Sequence, residues 1–286
     1  MWGKYLFRRG ALQIRSQIRC DIIKRMPTRQ RSQRVEAIIL RHHDWGEADR
    51  ILGLYTRESG KLGAIAKGAR KLRSRKAGHI EPFTHVSMQL ASGRDLYIVT
   101  QAETIESFMA LRDNLVKLGY ASYIVELLDR FTYEEGENRA LFHLLTDTLR
   151  RLAGNEDPEQ MIVHYYEIRL LDLLGFRPEL NHCVRCETEI QPEDQFFSAE
   201  EGGALCPKCG RGTPGARPVS MQALKYMRHF QRSSYPDARR ARISDPVYRE
   251  MEILIQHYLT YILERNLNSP VFLRRVQGLI SHEEAD

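Results

Sequence analysis

The alternation of apolar and polar positions changes character once along this chain. From residue 34 to about 105 the apolar residues fall in short runs separated by turn signals. Val35-Glu36-Ala37-Ile38-Ile39-Leu40 opens the series, and Arg50-Ile51-Leu52-Gly53-Leu54-Tyr55-Thr56 follows the turn-like Asp44-Trp45-Gly46. Glu58-Ser59-Gly60-Lys61 marks a tight turn into Leu62-Gly63-Ala64-Ile65-Ala66. From Phe83 to Leu90 the pattern alternates, with Val86, Met88 and Leu90 set against Ser87 and Gln89, as on a half-buried strand. Ser92-Gly93-Arg94-Asp95 then turns into Leu96-Tyr97-Ile98-Val99-Thr100. Five short strands between Gly-containing turns predict a small closed barrel of the OB type over residues 27–105, a pattern that other small barrels share.

From about residue 106 the period becomes helical. Leu115, Leu118, Ile124, Leu127, Leu128 and Phe131 keep i, i+3/i+4 spacing, and a second helix is predicted over 138–153. Asp157-Pro158-Glu159 reads as a helix start, with Asp at the cap and Pro at the first helical position. That helix runs from Met161 through Leu174 and stops at Gly175, with Pro178 beyond. Residues 181–212 break the pattern. Helices resume at Ser220, with Ala223, Leu224, Met227 and Phe230 on one face, and over 245–265, with Val247, Met251, Leu254, Ile255, Tyr258 and Ile262. The expected fold class is α+β: an OB-type β-barrel, then an α-helical domain over 106–280 with a four-cysteine module inserted at 181–212.

Composition alters this picture little, but charge placement alters it considerably. The 286 residues hold 43 Lys and Arg against 37 Asp and Glu. Residues 1–80 carry 20 of those bases and only 6 of the acids, so one end is strongly basic and the remainder mildly acidic. A hydrophobic share of 42% suffices for a core, and no apolar run approaches ~18 residues, which argues against a membrane-spanning helix. Residues 1–26 hold seven bases and one acid but lack the apolar stretch and cleavage site of a secretory signal. They read as a basic extension, expected to be disordered, or as an upstream start with Met26 the second one. On composition a transit peptide is also compatible.

Cys183-Val-Arg-Cys186 and Cys206-Pro-Lys-Cys209 are separated by 19 residues, within the spacing of a four-thiolate zinc site. Two residues between paired cysteines let one tight turn present both sulfurs to one ion, with Zn–S near ~2.3 Å. Gly210 suits the turn closing such a knuckle. A closed shell leaves no position for water, so one structural Zn2+ per chain is expected. His79-Ile80-Glu81 matches half of a zinc-deaminase signature, but Leu205 stands where the other half requires proline. His42-His43 beside Asp44 reads as a polar strand-end turn, and His182 as a loop residue beside the metal ligands. No H-E-x-x-H, G-x-S-x-G or Walker-type motif occurs. Nothing favours an enzyme.

Lys67, Arg70, Lys71, Arg73, Arg75 and Lys76 place six positive charges in ten residues between the third and fourth predicted strands. Such a loop neutralises phosphates and releases counterions, giving salt-dependent affinity with little sequence preference. Arg34, with Arg29 and Arg31, extends the same track, and Trp45, Tyr55, Phe83 and Tyr97 are the candidates for stacking on bases.

In combination these features resemble the RecO family of bacterial recombination mediators. The strings that carry the resemblance are Arg34-Val35-Glu36-Ala37-Ile38-Ile39-Leu40 with Glu47-Ala48-Asp49-Arg50-Ile51-Leu52, and Lys67-Gly68-Ala69-Arg70 with Ser74 and Glu81-Pro82-Phe83. The third is Leu173-Leu174-Gly175-Phe176-Arg177-Pro178-Glu179-Leu180 leading into the first cysteine pair. The resemblance spans about residues 27–280. It implies a cytoplasmic, nucleoid-associated protein that binds single- and double-stranded DNA and anneals complementary strands. It also implies work with RecR and RecF, contact with single-stranded-DNA-binding protein, and help in loading RecA. DNA contact then falls on Lys67, Arg70, Lys71, Arg73, Arg75 and Lys76, and the metal on Cys183, Cys186, Cys206 and Cys209. Arg228, Arg232, Arg239, Arg240 and Arg242 could receive an acidic tail or form a solvated face. The alternatives are a zinc-containing interaction scaffold whose basic loop binds an acidic partner, and a nuclease or deaminase with an open metal site.

Overall fold

The computed structural model describes residues 32–132 and 136–263. The first part is a five-stranded sheet: β1 (Ser32–Trp45), β2 (Asp49–Thr56), β3 (Gly60–Ala66), β4 (His85–Ala91) and β5 (Tyr97–Glu106). Strand order is β1-β2-β3-β5-β4, and β4 pairs back with β1, so the sheet closes on itself. All neighbours are antiparallel except β3 and β5, which run parallel.

β1 is longer than its apolar run suggests, because it serves two neighbours. Ser32–Ile38 pair with β4 and Ala37–Trp45 with β2, with a register shift between Ile39 and Arg41 that bends the strand from one to the other. Its apolar run is continuous because both faces are covered. Val35, Ala37 and Ile39 point into the closed sheet with Leu52, Leu54, Leu62, Val86, Met88 and Leu90. Ile38 and Leu40, with Tyr55 and Phe83, point outward into the core of the helical part.

The helical part comprises α1 (Met109–Asp113), α2 (Leu115–Phe131), α3 (Arg139–Ala153), α4 (Glu159–Leu173), α5 (Pro207–Gly210), α6 (Met221–Arg232), α7 (Tyr235–Ala238) and α8 (Asp245–Leu263). The α4 terminus follows the sequence expectation: Gly175 N–H bonds Asp172 O at 3.2 Å and Phe176 N–H bonds Leu171 O at 2.8 Å, closing the helix at a left-handed glycine. Its start does not. Pro158 occupies the cap, and the Asp157 carboxylate instead accepts from Tyr235 Oη at 2.8 Å and pairs with Arg239 at 2.9 Å, which ties α4 to α7. Ser220 caps α6 as expected, accepting from Ala223 N–H at 3.1 Å.

Between α4 and α6 the structure adds a small sheet that the sequence pattern does not announce: β6 (Gln195–Ser198), β7 (Gly203–Leu205) and β8 (Arg217–Val219), in the order β7-β6-β8. Phe197 of β6 is fully buried against the helical core, so this segment is anchored to the body. Residues 1–26, Arg29, Arg31 and 264–280 lie outside the described residues, and so do the expectations placed on them.

Candidate metal centre and nucleic-acid interface

The four cysteines converge. Their sulfurs all lie within 4.8 Å of one another, and Cys186 Sγ and Cys206 Sγ are 3.7 Å apart. Tetrahedral thiolates around an ion at ~2.3 Å stand about 3.8 Å from each other. Each pair sits on a tight turn. Glu187 N–H bonds Cys183 O at 2.8 Å around a left-handed Glu187, and Cys209 N–H bonds Cys206 O at 3.0 Å at the start of α5. Val184 N–H to Ala204 O, at 2.9 Å, brings the first turn beside β7, the strand that leads into the second pair. Gly210 is required for a reason other than turn strain: a Cβ there would overlap the Phe196 ring. Arg185 clasps the module by pairing with Glu201 and donating to Cys209 O and Thr213 Oγ1.

The thiols are electrostatically unequal. Hydrogen bonds from the Thr188 hydroxyl and backbone, then from Cys183, pull Cys186 down to about 6. Hydrogen bonding with Cys206, followed by burial, pushes Cys209 up to about 12. Four negative sulfurs this close repel one another, and a cation among them removes that repulsion. The donor set and spacing therefore fit a metal ion.

The basic loop is not a uniform charge cluster. Arg70 pairs with Asp44 at 3.1 Å and donates weakly to Gly46 O and Glu47 O, each at 3.4 Å. Asp44 in turn accepts from Arg50, which reaches Glu81 at 2.8 Å, so alternating charges run from the turn before β4 to the loop. Lys76 donates to Val99 O at 3.2 Å on β5. Lys67, Lys71, Arg73 and Arg75 are exposed, and their side chains have no hydrogen-bond or ion-pair partner among the described residues. Gly68 N–H to Asp49 Oδ1 at 2.7 Å and Arg70 N–H to Ala48 O at 2.9 Å fix the backbone beneath them.

Arg34 does not join this loop. It lies ten residues from Asp44 along β1, about 30 Å of extended chain, and its guanidinium meets Ser87 at 2.8 Å and Glu103 at 3.9 Å. Of the stacking candidates, Trp45 is 57% exposed and Tyr97 partly exposed, whereas Tyr55 and Phe83 are core residues turned toward the helices. Burial pushes the Tyr55 hydroxyl up to about 12. His79 accepts or donates at Thr104 Oγ1, 2.8 Å away, and Glu81 is taken by Arg50; the deaminase-like triplet is thus structural. Arg228 is also structural, half-sequestered with Nε donating to Leu180 O at 2.8 Å, and Arg239 is held by Glu156 and Asp157. Sequence reasoning missed Asp44 and Asp49, the acids that organise the loop. Their signal was present: two acids in a turn whose strands flank a basic loop.

Comparison with known proteins matches residues 31–108 to the family described as Recombination protein O N terminal, and residues 112–270 to Recombination protein O C terminal. The chain belongs to the RecO family. A DNA repair protein RecO of Roseiflexus sp. (strain RS-1) is 42% identical over 252 residues, 88% of each chain. That of Pelotomaculum thermopropionicum is 38% identical over 85% of this chain and 93% of its own. That of Dehalococcoides mccartyi (strain ATCC BAA-2266 / KCTC 15142 / 195) is 35% identical over 86% of this chain and 96% of its own. RecO membership supports a role in DNA repair and recombination. Among the described residues, no helix is long and apolar enough to cross a membrane.

Proposed function

We propose that this RecO-family chain is a DNA-binding recombination mediator that anneals complementary single strands. With RecR and RecF it helps load RecA onto DNA coated with single-stranded-DNA-binding protein, in the cytoplasm at the nucleoid. It works by binding and not by catalysis. The observation that carries this reading is the division within the basic loop. Arg70 and Lys76 hold the loop to the sheet, and Lys67, Lys71, Arg73 and Arg75 stand free above it. Free cations on a held loop meet phosphates without first giving up a protein partner. A strand whose phosphates are neutralised repels a second strand less, which is what annealing requires.

The closed sheet is read as an OB-type barrel over 27–105, followed by a helical domain over 106–280 with a zinc module at 181–212. Cys183, Cys186, Cys206 and Cys209 would hold one Zn2+ per chain. That ion would tie the two turns together and perform no chemistry, since four sulfurs complete its shell. Arg34 contributes a further positive charge at the other end of β1, partly offset by Glu103.

Replacing Lys71, Arg73 and Arg75 by alanine is expected to weaken binding across all DNA sequences. The slope of log affinity against log salt should become shallower by about 2 units on single strands, at ~0.7 per lost phosphate contact. Unchanged affinity and slope would remove the loop from the interface. No retention of single-stranded DNA by the unaltered protein at moderate salt would favour the scaffold reading, in which an acidic protein takes the loop.

A further inference from the structure

Two exposed apolar side chains stand out on the basic loop and on the strand end that Arg70 binds. Trp45 stands more than half exposed at the end of β1, and Leu72 is fully exposed between Lys71 and Arg73. Neither packs in the two cores. They belong to different segments, but those segments are joined closely. Arg70 pairs with Asp44 next to Trp45, Arg70 N–H bonds Ala48 O, and Gly68 N–H bonds Asp49. The segments that carry the indole and the leucine are therefore tied to each other by these three contacts, and the second segment also carries the cations that would draw in a phosphate backbone.

We infer that Trp45 and Leu72 form a base-contact pair, so that this site takes strands with exposed bases, single or frayed, in preference to backbone charge alone. The inference rests on the DNA-binding reading above. An indole offers a face for a base to stack on, and a leucine flanked by cations offers a wedge beside it. Arg70 is a positioning residue in this arrangement: its charge is spent on Asp44, and its effect is to keep the loop beside the indole.

The test compares binding of an oligothymidine with binding of an abasic strand carrying the same number of phosphates, by fluorescence anisotropy at several salt concentrations. The unaltered protein is expected to prefer the base-bearing strand by about tenfold, the lower range of what one stacked base supplies. Trp45→Ala with Leu72→Ala should abolish that preference, leaving abasic affinity and salt slope as they were. Both positions are exposed, so the thermal midpoint should stay within a degree or two of the original. Asp44→Asn provides a second arm. Removing a negative charge beside a cationic site would by simple electrostatics tighten binding, whereas loss of the Arg70 latch should weaken the base-bearing strand selectively. In a Trp2→Phe background, Trp45 fluorescence should be quenched by oligothymidine and not by the abasic strand. Equal binding of both strands by the unaltered protein, or a preference that survives the double substitution, overturns the inference and leaves the phosphate-binding loop in place. Failure to bind either strand overturns the DNA reading itself.

Discussion

His85 shows how a single side chain makes stability depend on pH. It is buried at the sheet–helix junction, with Nε2 2.8 Å from Glu36 and its ring edge-on to Phe142 at 5.7 Å. Burial holds its pKa below the ordinary histidine value, against the upward pull of Glu36. The unfolded chain takes up a proton near ~6.5, and the folded chain resists it to lower pH. His85 therefore contributes full stability above that value and loses it as pH falls through it. His85→Gln is expected to flatten the decline of thermal midpoint between about pH 7.5 and 5.5; an unchanged decline would assign it elsewhere. Lys117 is a second buried charge with a structural purpose. Its ammonium donates to Ala153 O, Gly154 O and Asn155 Oδ1 at 3.3, 2.5 and 2.6 Å, closing the end of α3. Lys117→Met strands those carbonyls and should destabilise the protein by about 2 kcal/mol in urea unfolding. Neither role is legible in the sequence, where both residues read as ordinary polar positions.

Among the elements, the cysteine module combines four converging sulfurs with an apolar side, Phe197, Leu205 and Val219, buried in the helical core. β6, β7 and β8 have four, three and three residues, too short for an alternating pattern to declare itself, and they escape a reading based on period. The cysteine spacing, by contrast, is decisive on its own, because two turns of that length can present sulfurs to one ion. Cys186→Ser is expected to lose bound metal, measured by elemental analysis. It should also raise the proteolytic susceptibility of 181–219 while the closed sheet and its DNA affinity survive. A metal-free variant with unchanged protease resistance would deny the ion a structural role. The helix ends divide similarly: the glycine stop of α4 was legible because only a left-handed residue fits there. The Asp157 cap was not, because a tertiary partner, Tyr235, competes for the same carboxylate.

At the scale of the molecule, the sheet and the helices share a core. Ile38, Leu40, Tyr55 and Phe83 sit in one apolar cluster with α2, α3 and α4. Lys61 reaches Asp129 Oδ1 at 2.6 Å, Arg112 reaches Pro82 O at 3.0 Å, and Arg150 pairs with Glu106 at 2.9 Å across the same boundary. Chain segments joined this way unfold together. Thermal unfolding followed by far-UV circular dichroism and by Trp45 fluorescence in the Trp2→Phe variant should give coincident transitions; two separated midpoints would mean independent units.

The sequence by itself determined the five strands of the closed sheet, the main helices, the spacing of the four cysteines and the place of the basic loop. Each of these is written in local periodicity or spacing. Only the tertiary structure decided which cations are free, because pairing depends on Asp44 and Val99, 26 and 23 residues away from Arg70 and Lys76. It likewise decided which aromatics face solvent. Tyr55 in a strand run and Trp45 in a turn are equally candidates for stacking on bases, and it is the helices packed on one side of the sheet that bury the first, while the second stays exposed.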